Sequence, residues 1–334
     1  MKCFSFLGLA FLTLVSCNSR PQTAGIYYWK TSLEWSDSDT RRLTLAGVDR
    51  VGLRLFDWGK EGAEGPLLVR TPLPASMTVV PVVYVTVARL EAWAKDLDFD
   101  AVLDAKQLLG AMDRALSPAW SGRPVEYQLD ADWAGSTRVA WFAVVGAFRD
   151  LVHARGGRLQ VTVRLHQYRD RAAQGVPPAD GAVVLLYGVG DAVIDLSTVE
   201  AYVRTPDYPL PVVLAFPDYT QVRQLNGYGR LVALHRLASG TELPAADLKL
   251  EAKNRYEVTR RSSLKGRPLL AHDELLVDTV EPEILAAVEN LASIIDLRRR
   301  SGDRVWVFDY EADAWQTLVS GPLAPYLLPK TAPP

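Results

Sequence analysis

The sequence predicts an α/β protein: a closed (β/α)8 TIM-like barrel with a small antiparallel β insertion after strand seven. Three observations carry this. Eight short, β-branched apolar runs are spread over residues 24–308 and interleaved with amphipathic helical patterns, the mark of parallel strands joined by helices. The runs are continuously apolar, as strands covered on both faces must be. Their number favours a closed barrel over an open doubly wound sheet, and no G-x-G-x-x-G follows the first run, which weakens a dinucleotide-binding reading.

The elements follow in order. Residues 24–29 (AGIYYW) form the first run, and residues 38–46 fit a short helix capped near Ser36 or Asp37. The second and third runs are 48–56 (VDRVGLRLF) and 78–86 (TVVPVVYVT), separated by a Gly- and Pro-containing stretch with no helical pattern. Residues 103–116 are helical. Residues 124–132 (PVEYQLDAD) form the fourth run, and 136–155 a long helix with Ser136 as cap and Gly156-Gly157 as stop. The fifth, sixth and seventh runs are 158–165, 181–187 (GAVVLLY) and 210–216 (LPVVLAF), with a helix at 196–203. Helices at 282–300, opened by Pro282, and at 312–319 flank the eighth run, 304–308. Between the seventh run and residue 282, the segments 229–237, 255–261 and 273–280 read as short antiparallel strands, with SSLKG at 262–266 as a hairpin-like turn.

The 334 residues are 49% hydrophobic and 23% charged, which is globular composition. The net charge of −2, with no basic run, argues against nucleic acid as a partner. Two cysteines exclude a disulfide scaffold, and no Cys/His set has zinc spacing. The four scattered histidines argue against a metal-dependent hydrolase. No cofactor is expected.

Residues 1–17 read MKCFSFLGLAFLTLVSC. Lys2 is a positive n-region and residues 4–15 an apolar h-region, too short to span a bilayer comfortably. The end, Leu14-Val15-Ser16-Cys17, is similar to a bacterial lipobox. That resemblance implies cleavage before Cys17 and acylation of its thiol and new amine, a firm membrane anchor. Asn18, where an inner-membrane lipoprotein carries aspartate, points to the outer membrane of a bacterial envelope. The expected organisation is a signal peptide at 1–16, a lipidated tether at 17–23, the barrel at 24–320 with its insertion at about 221–280, and a proline-rich tail at 321–334.

Barrel active sites lie at the C-terminal ends of the strands, and these ends are polar here: Trp29, Asp57-Trp58, Asp130-Ala131-Asp132-Trp133, Arg164 with His166, Tyr187 with Asp191, Asp218, and Asp309. Side chains alternate along a strand, so Glu126, Gln128, Asp130 and Asp132 share one face, directed into the barrel. Two carboxylates two residues apart repel, and one of them can hold a proton and act as a general acid. Arg164 and Lys30 are candidate neutralising partners. Trp29, Trp58 and Trp133 offer flat apolar faces suited to sugar rings.

The stretches AGIYYWKTSLEWS (24–36), VEYQLDADWAGSTR (125–138), VTVRLHQY (161–168), VVLLYGVGD (183–191) and LPVVLAFPDY (210–219) resemble a family of bacterial lipoproteins with a TIM-barrel, glycoside-hydrolase-like domain of unknown function. The family's strand-four motif, Q-x-D-x-D-W followed by S-T, is matched by Gln128, Asp130, Asp132, Trp133, Ser136 and Thr137. A weaker likeness joins the chain to chitinase-like hydrolases, which carry D-x-x-D-x-D-x-E on strand four and a tyrosine on strand six. Asp132 takes the terminal Glu position in one alignment, with Asp130 and Gln128 before it and Tyr187 as the tyrosine. In the other alignment that Glu position is Ala134. Either way the sequence departs from the pattern.

Two functions are expected from these residues. In one, a glycoside hydrolase uses Asp132 as proton donor and Asp130 as its orienting or stabilising partner. Trp29, Asp57, Trp58, Gln128, Trp133, Arg164, His166, Tyr187, Asp191, Asp218 and Asp309 then hold carbohydrate. In the other, the same rim binds glycan or a partner protein without turnover.

Overall fold

The computed structural model describes residues 24–46, 48–187, 196–203, 208–217, 219–238, 243–278, 305–308 and 310. The expected signal peptide, the tether with Cys17, the helices at 282–300 and 312–319 and the proline-rich tail lie outside the described residues.

All eight apolar runs are strands: Ala24–Tyr28, Val48–Gly59, Thr78–Val85, Glu126–Ala131, Arg158–Arg164, Gly181–Leu185, Val212–Pro217 and Val305–Phe308. They pair in parallel, each with its neighbours in this order. Closure occurs at the first strand, where Ala24 lies between Val305 on one side and Val48 on the other. A closed cylinder leaves no unpaired edge in hydrophobic surroundings, so continuous Val, Leu and Ile runs are tolerated without alternation.

Helices Asp37–Leu45, Ala101–Leu116, Arg138–His153 and Leu196–Val203 stand where the sequence places them, within two residues. Ser36 caps the first: its Oγ accepts from the Asp39 amide at 3.2 Å, and Asp39 accepts from the Ser36 amide at 2.9 Å. The long helix begins after Thr137, not Ser136, and the Thr137 hydroxyl serves the Ala134 backbone instead of the helix. Gly156, at φ +74°, stops the chain beyond it. Helix Val87–Lys95 is an addition, capped by Thr86, a residue that reads as the end of the preceding strand.

The insertion is larger than its sequence outline. Five antiparallel strands run in the order Leu231–Ala238, Tyr219–Leu225, Glu274–Asp278, Arg255–Val258 and Leu248–Ala252. The segment expected as a turn at 262–266 is half of a hairpin, Ser262–Leu264 with Arg267–Leu269. This unit has its own small core of Val222, Leu237, Val258, Leu264, Leu269, Leu275 and Val277. Gln224 ties it together, its Oε1 accepting from His235 Nε2 at 3.0 Å and its Nε2 donating to Asp273 at 2.6 Å. Tyr219, its first residue, belongs to the barrel core, so the insertion is rooted at the mouth.

Inside the barrel, Trp306 stacks on Tyr27, with ring centres 4.8 Å apart and planes at 26°. Gly25 and Gly52 make the room: a Cβ on either lies 2.6 Å from one of these rings. Interiors this dense transmit any added volume as strain. Gly25→Val is therefore expected to lower stability by about 1–3 kcal/mol in urea denaturation, with the circular dichroism spectrum retained. An unchanged midpoint would contradict this packing.

Candidate functional site

The alternation expected for strand four holds. Its inward residues each meet a partner: Glu126 accepts from Arg50 at 3.0 Å, Gln128 joins Tyr27 at 2.7–2.9 Å, Asp130 accepts from Thr162, and Asp132 meets Arg164. Tyr127 points outward instead, edge-on to Phe148 of the long helix. The ladder runs from the barrel floor at Glu126 to the mouth at Asp132.

At the mouth, Arg164 and Asp132 form a two-point pair. Nε donates to Oδ1 at 2.5 Å and Nη2 to Oδ2 at 3.3 Å, and Tyr84 Oη reaches Oδ2 at 3.4 Å. Asp130 lies deeper, 3.9 Å from Arg164 Nη2. Burial pushes the Asp130 carboxyl above the usual carboxylate range, while Arg164 and the Thr162 hydroxyl pull the other way. Burial also works against the Arg164 charge, but the two aspartates outweigh it and hold the guanidinium protonated. Burial and the same two aspartates push the Tyr84 phenol up to about 12.

Gln167 fixes this geometry. Its Oε1 accepts from the Arg164 amide at 2.8 Å and its Nε2 donates to the Trp133 carbonyl at 3.0 Å. A fully buried amide thus locks the ends of strands four and five together. Asp57 is placed by a bulge. Side chains three apart on a regular strand face opposite ways, but the register shifts between Arg54 and Phe56, which lets Arg54 Nη2 reach Asp57 Oδ1 at 2.8 Å.

These groups line a cavity of about 330 Å³ open to solvent. Of the expected residues, Trp29, Asp57, Gln128, Asp130, Asp132, Arg164 and Tyr187 meet there. Three others do not. Trp58 is buried beneath Arg89, whose guanidinium lies 5.4 Å from its ring centre. Trp133 is buried against Trp141 and Phe142 and donates to the Gln174 carbonyl at 3.2 Å. His166 is exposed, because strand five ends at Arg164 and a helical turn over Leu165–Arg169 breaks the alternation that was expected to bring it to the rim. Asp191, Asp218 and Asp309 lie outside the described residues. Lys30 sits over the Tyr28 ring at 5.4 Å.

Sequence reasoning missed Tyr27, Tyr84, Thr162, Phe308 and Arg236 in the lining. Parity was a usable signal for some. Tyr27 lies two residues before Trp29, Thr162 two before Arg164, and Tyr84 is in register with Asp130. Arg236 carries no such signal, because it comes from the insertion. Its guanidinium lies 5.3 Å from the Tyr219 ring centre and 5.8 Å from that of Phe308.

No protein-family model and no curated sequence matches the chain. Solved structures do. The spore cortex-lytic enzyme SleL of Bacillus megaterium QM B1551 aligns with a TM-score of 0.58 at 12% identity, over 92% of this chain and 74% of that one. A class V chitinase from Pseudomonas fluorescens Pf-5 aligns at 0.55 and 16% identity, over 90% and 99%. A chitinase from Chromobacterium violaceum ATCC 12472 aligns at 0.53 and 14% identity, over 91% and 99%. Likeness at this identity shows the fold alone, a closed eight-stranded parallel barrel with helices between its strands.

The buried acid has a measurable signature. Folded Asp130 keeps its proton to higher pH than the unfolded chain does, so the folded state binds more protons and loses stability as pH rises above about 4. Asp130→Asn removes that dependence. Comparing urea denaturation of the two proteins between pH 4 and 7, the stability difference should shift steadily in favour of the variant; a flat difference would contradict a raised Asp130.

Proposed function

We propose that this chain is an envelope lipoprotein that binds carbohydrate in the mouth of its barrel, without hydrolysing it. Carbohydrate is favoured by an open cavity that sets the Trp29, Tyr27, Tyr187 and Phe308 rings beside charged hydrogen-bonding pairs. Flat aromatics suit the apolar faces of sugars, and paired carboxylate and guanidinium groups suit their hydroxyls. The glycoside-hydrolase-like fold of the structural neighbours supports the same class of ligand.

The observation that carries the absence of turnover is the occupancy of Asp132. Glycoside hydrolysis needs a carboxylic acid that hands a proton to the leaving oxygen. Both Asp132 oxygens accept hydrogen bonds, one from Arg164 Nε and the other from Arg164 Nη2 and Tyr84. The alternative position for that acid is Ala134, an exposed methyl group. A second reading, hydrolysis with Asp130 as proton donor, is favoured by its burial at the cavity wall and its raised pKa.

A panel of β-linked oligosaccharides assayed for binding by calorimetry and for cleavage by chromatography tests both readings. The expected result is binding that Trp29→Ala weakens at least tenfold, with no cleavage. Cleavage that Asp130→Asn abolishes would overturn the binding-only reading in favour of the second. The envelope assignment rests on Cys17. Palmitate labelling and membrane fractionation of the full chain should show lipid and membrane attachment, both lost in Cys17→Ser; a soluble, unlabelled wild-type protein would exclude the anchor.

A further inference from the structure

The charges of the mouth do not pair off completely. Asp132 is held by Arg164 and Asp57 by Arg54. Asp130 accepts from Thr162 and has Arg164 at 3.9 Å. Arg236 also lines the cavity, yet no carboxylate among the described residues pairs with it. It stands on strand Leu231–Ala238 of the insertion, in register with Gln221 and diagonal to Tyr219. The side chain is exposed and lies against the Tyr219 and Phe308 rings.

This placement suits recognition of an anion. Stacking on aromatics restrains the long side chain while leaving the edge of the planar guanidinium available, so little freedom is lost when its N–H fork meets a carboxylate. Elsewhere in the cavity Asp57 is paired with Arg54, and Asp132 and Asp130 share Arg164. Among the described residues, a ligand in the cavity therefore meets acids that already have arginine partners, and one arginine, Arg236, that has no carboxylate partner.

Resting on the carbohydrate-binding reading above, we infer that the site selects acidic glycans, with a sugar carboxylate engaging Arg236 of the insertion. The barrel strands supply the surface that holds the sugar ring, and the insertion supplies charge selectivity. A charge-assisted bidentate contact is worth about 1.5–3 kcal/mol, equivalent to roughly 10- to 150-fold in affinity.

The test uses matched pairs: a hyaluronan tetrasaccharide, an oligogalacturonate and an oligoalginate, each beside its carboxyl-reduced neutral counterpart, with chitotetraose as an uncharged reference. Binding of the full-length protein is measured by calorimetry at two salt concentrations. At least one acidic member should bind tenfold or more tightly than its neutral counterpart, with a preference that shrinks at high salt. Arg236→Gln should erase the difference within that pair. Arg255→Gln, which removes the same charge from another insertion strand, should leave it intact. Equal binding within every pair, or a preference that survives Arg236→Gln, overturns this inference and leaves the carbohydrate reading standing. Failure of every glycan to bind, neutral and acidic alike, overturns both. Thermal unfolding of each variant checks that the fold is retained.

Discussion

A guanidinium at the end of strand five makes the mouth of this barrel possible. Asp130 and Asp132 project from the same face of strand four, close enough to repel, and Asp130 is buried. Carboxylates removed from water without a partner are costly. Arg164 answers both, with Nε and Nη2 on Asp132 and Nη2 3.9 Å from Asp130. Its own position is set by Gln167, which grips the backbone of strand five and the end of strand four. The chain therefore contains a small rigid frame: two strand ends, one buried amide, one guanidinium and two acids. Remove the guanidinium and the remaining carboxylates lose the group that makes their proximity tolerable.

Below that frame, the interior sets how deep a ligand can go. Trp306 and Tyr27 stack across the barrel axis in space left by Gly25 and Gly52. The Tyr27 hydroxyl is in turn engaged by Gln128. The aromatic plug and the strand-four ladder thus meet at one residue, and the open cavity begins above them. Phe308 is 5.2 Å from Tyr187 and 5.6 Å from Trp29, ring centre to ring centre, so the cavity walls are continuous with the packed core. Continuity with the core gives these rings a fixed orientation, which is what a surface that recognises flat sugar faces needs.

The fold was legible in the sequence because burial on both faces forces a continuous apolar run, and eight such runs leave few alternatives. Strand parity made the inward ladder of Gln128, Asp130 and Asp132 legible as well. What escaped was whatever departs from regular repeats. A helical turn at Leu165 carries His166 away from the rim. The tryptophans at the ends of strands two and four look like surface aromatics by position, but helices that pack outside the barrel cover them, Trp58 under Arg89 and Trp133 against Trp141. Asp57 reaches the site in company with Arg54 only through a bulge that periodicity does not reveal. Arg236 arrives from a separate sheet, and strand Tyr219–Leu225, which delivers that sheet to the mouth, has no continuous apolar run to mark it.

The contrast between Asp132 and Asp130 bears on which carboxyl at the mouth is free to carry a proton. An acid that donates protons needs an oxygen free to carry one and a neighbour that does not compete for it. At Asp132, an arginine two strand positions beyond Thr162 supplies two donors to the same carboxylate that faces the cavity. That arrangement makes the Asp132 carboxylate half of a planar, two-point ion pair. Removing Arg164 would not simply free Asp132, because the buried Asp130 carboxyl beneath it depends on the same cation.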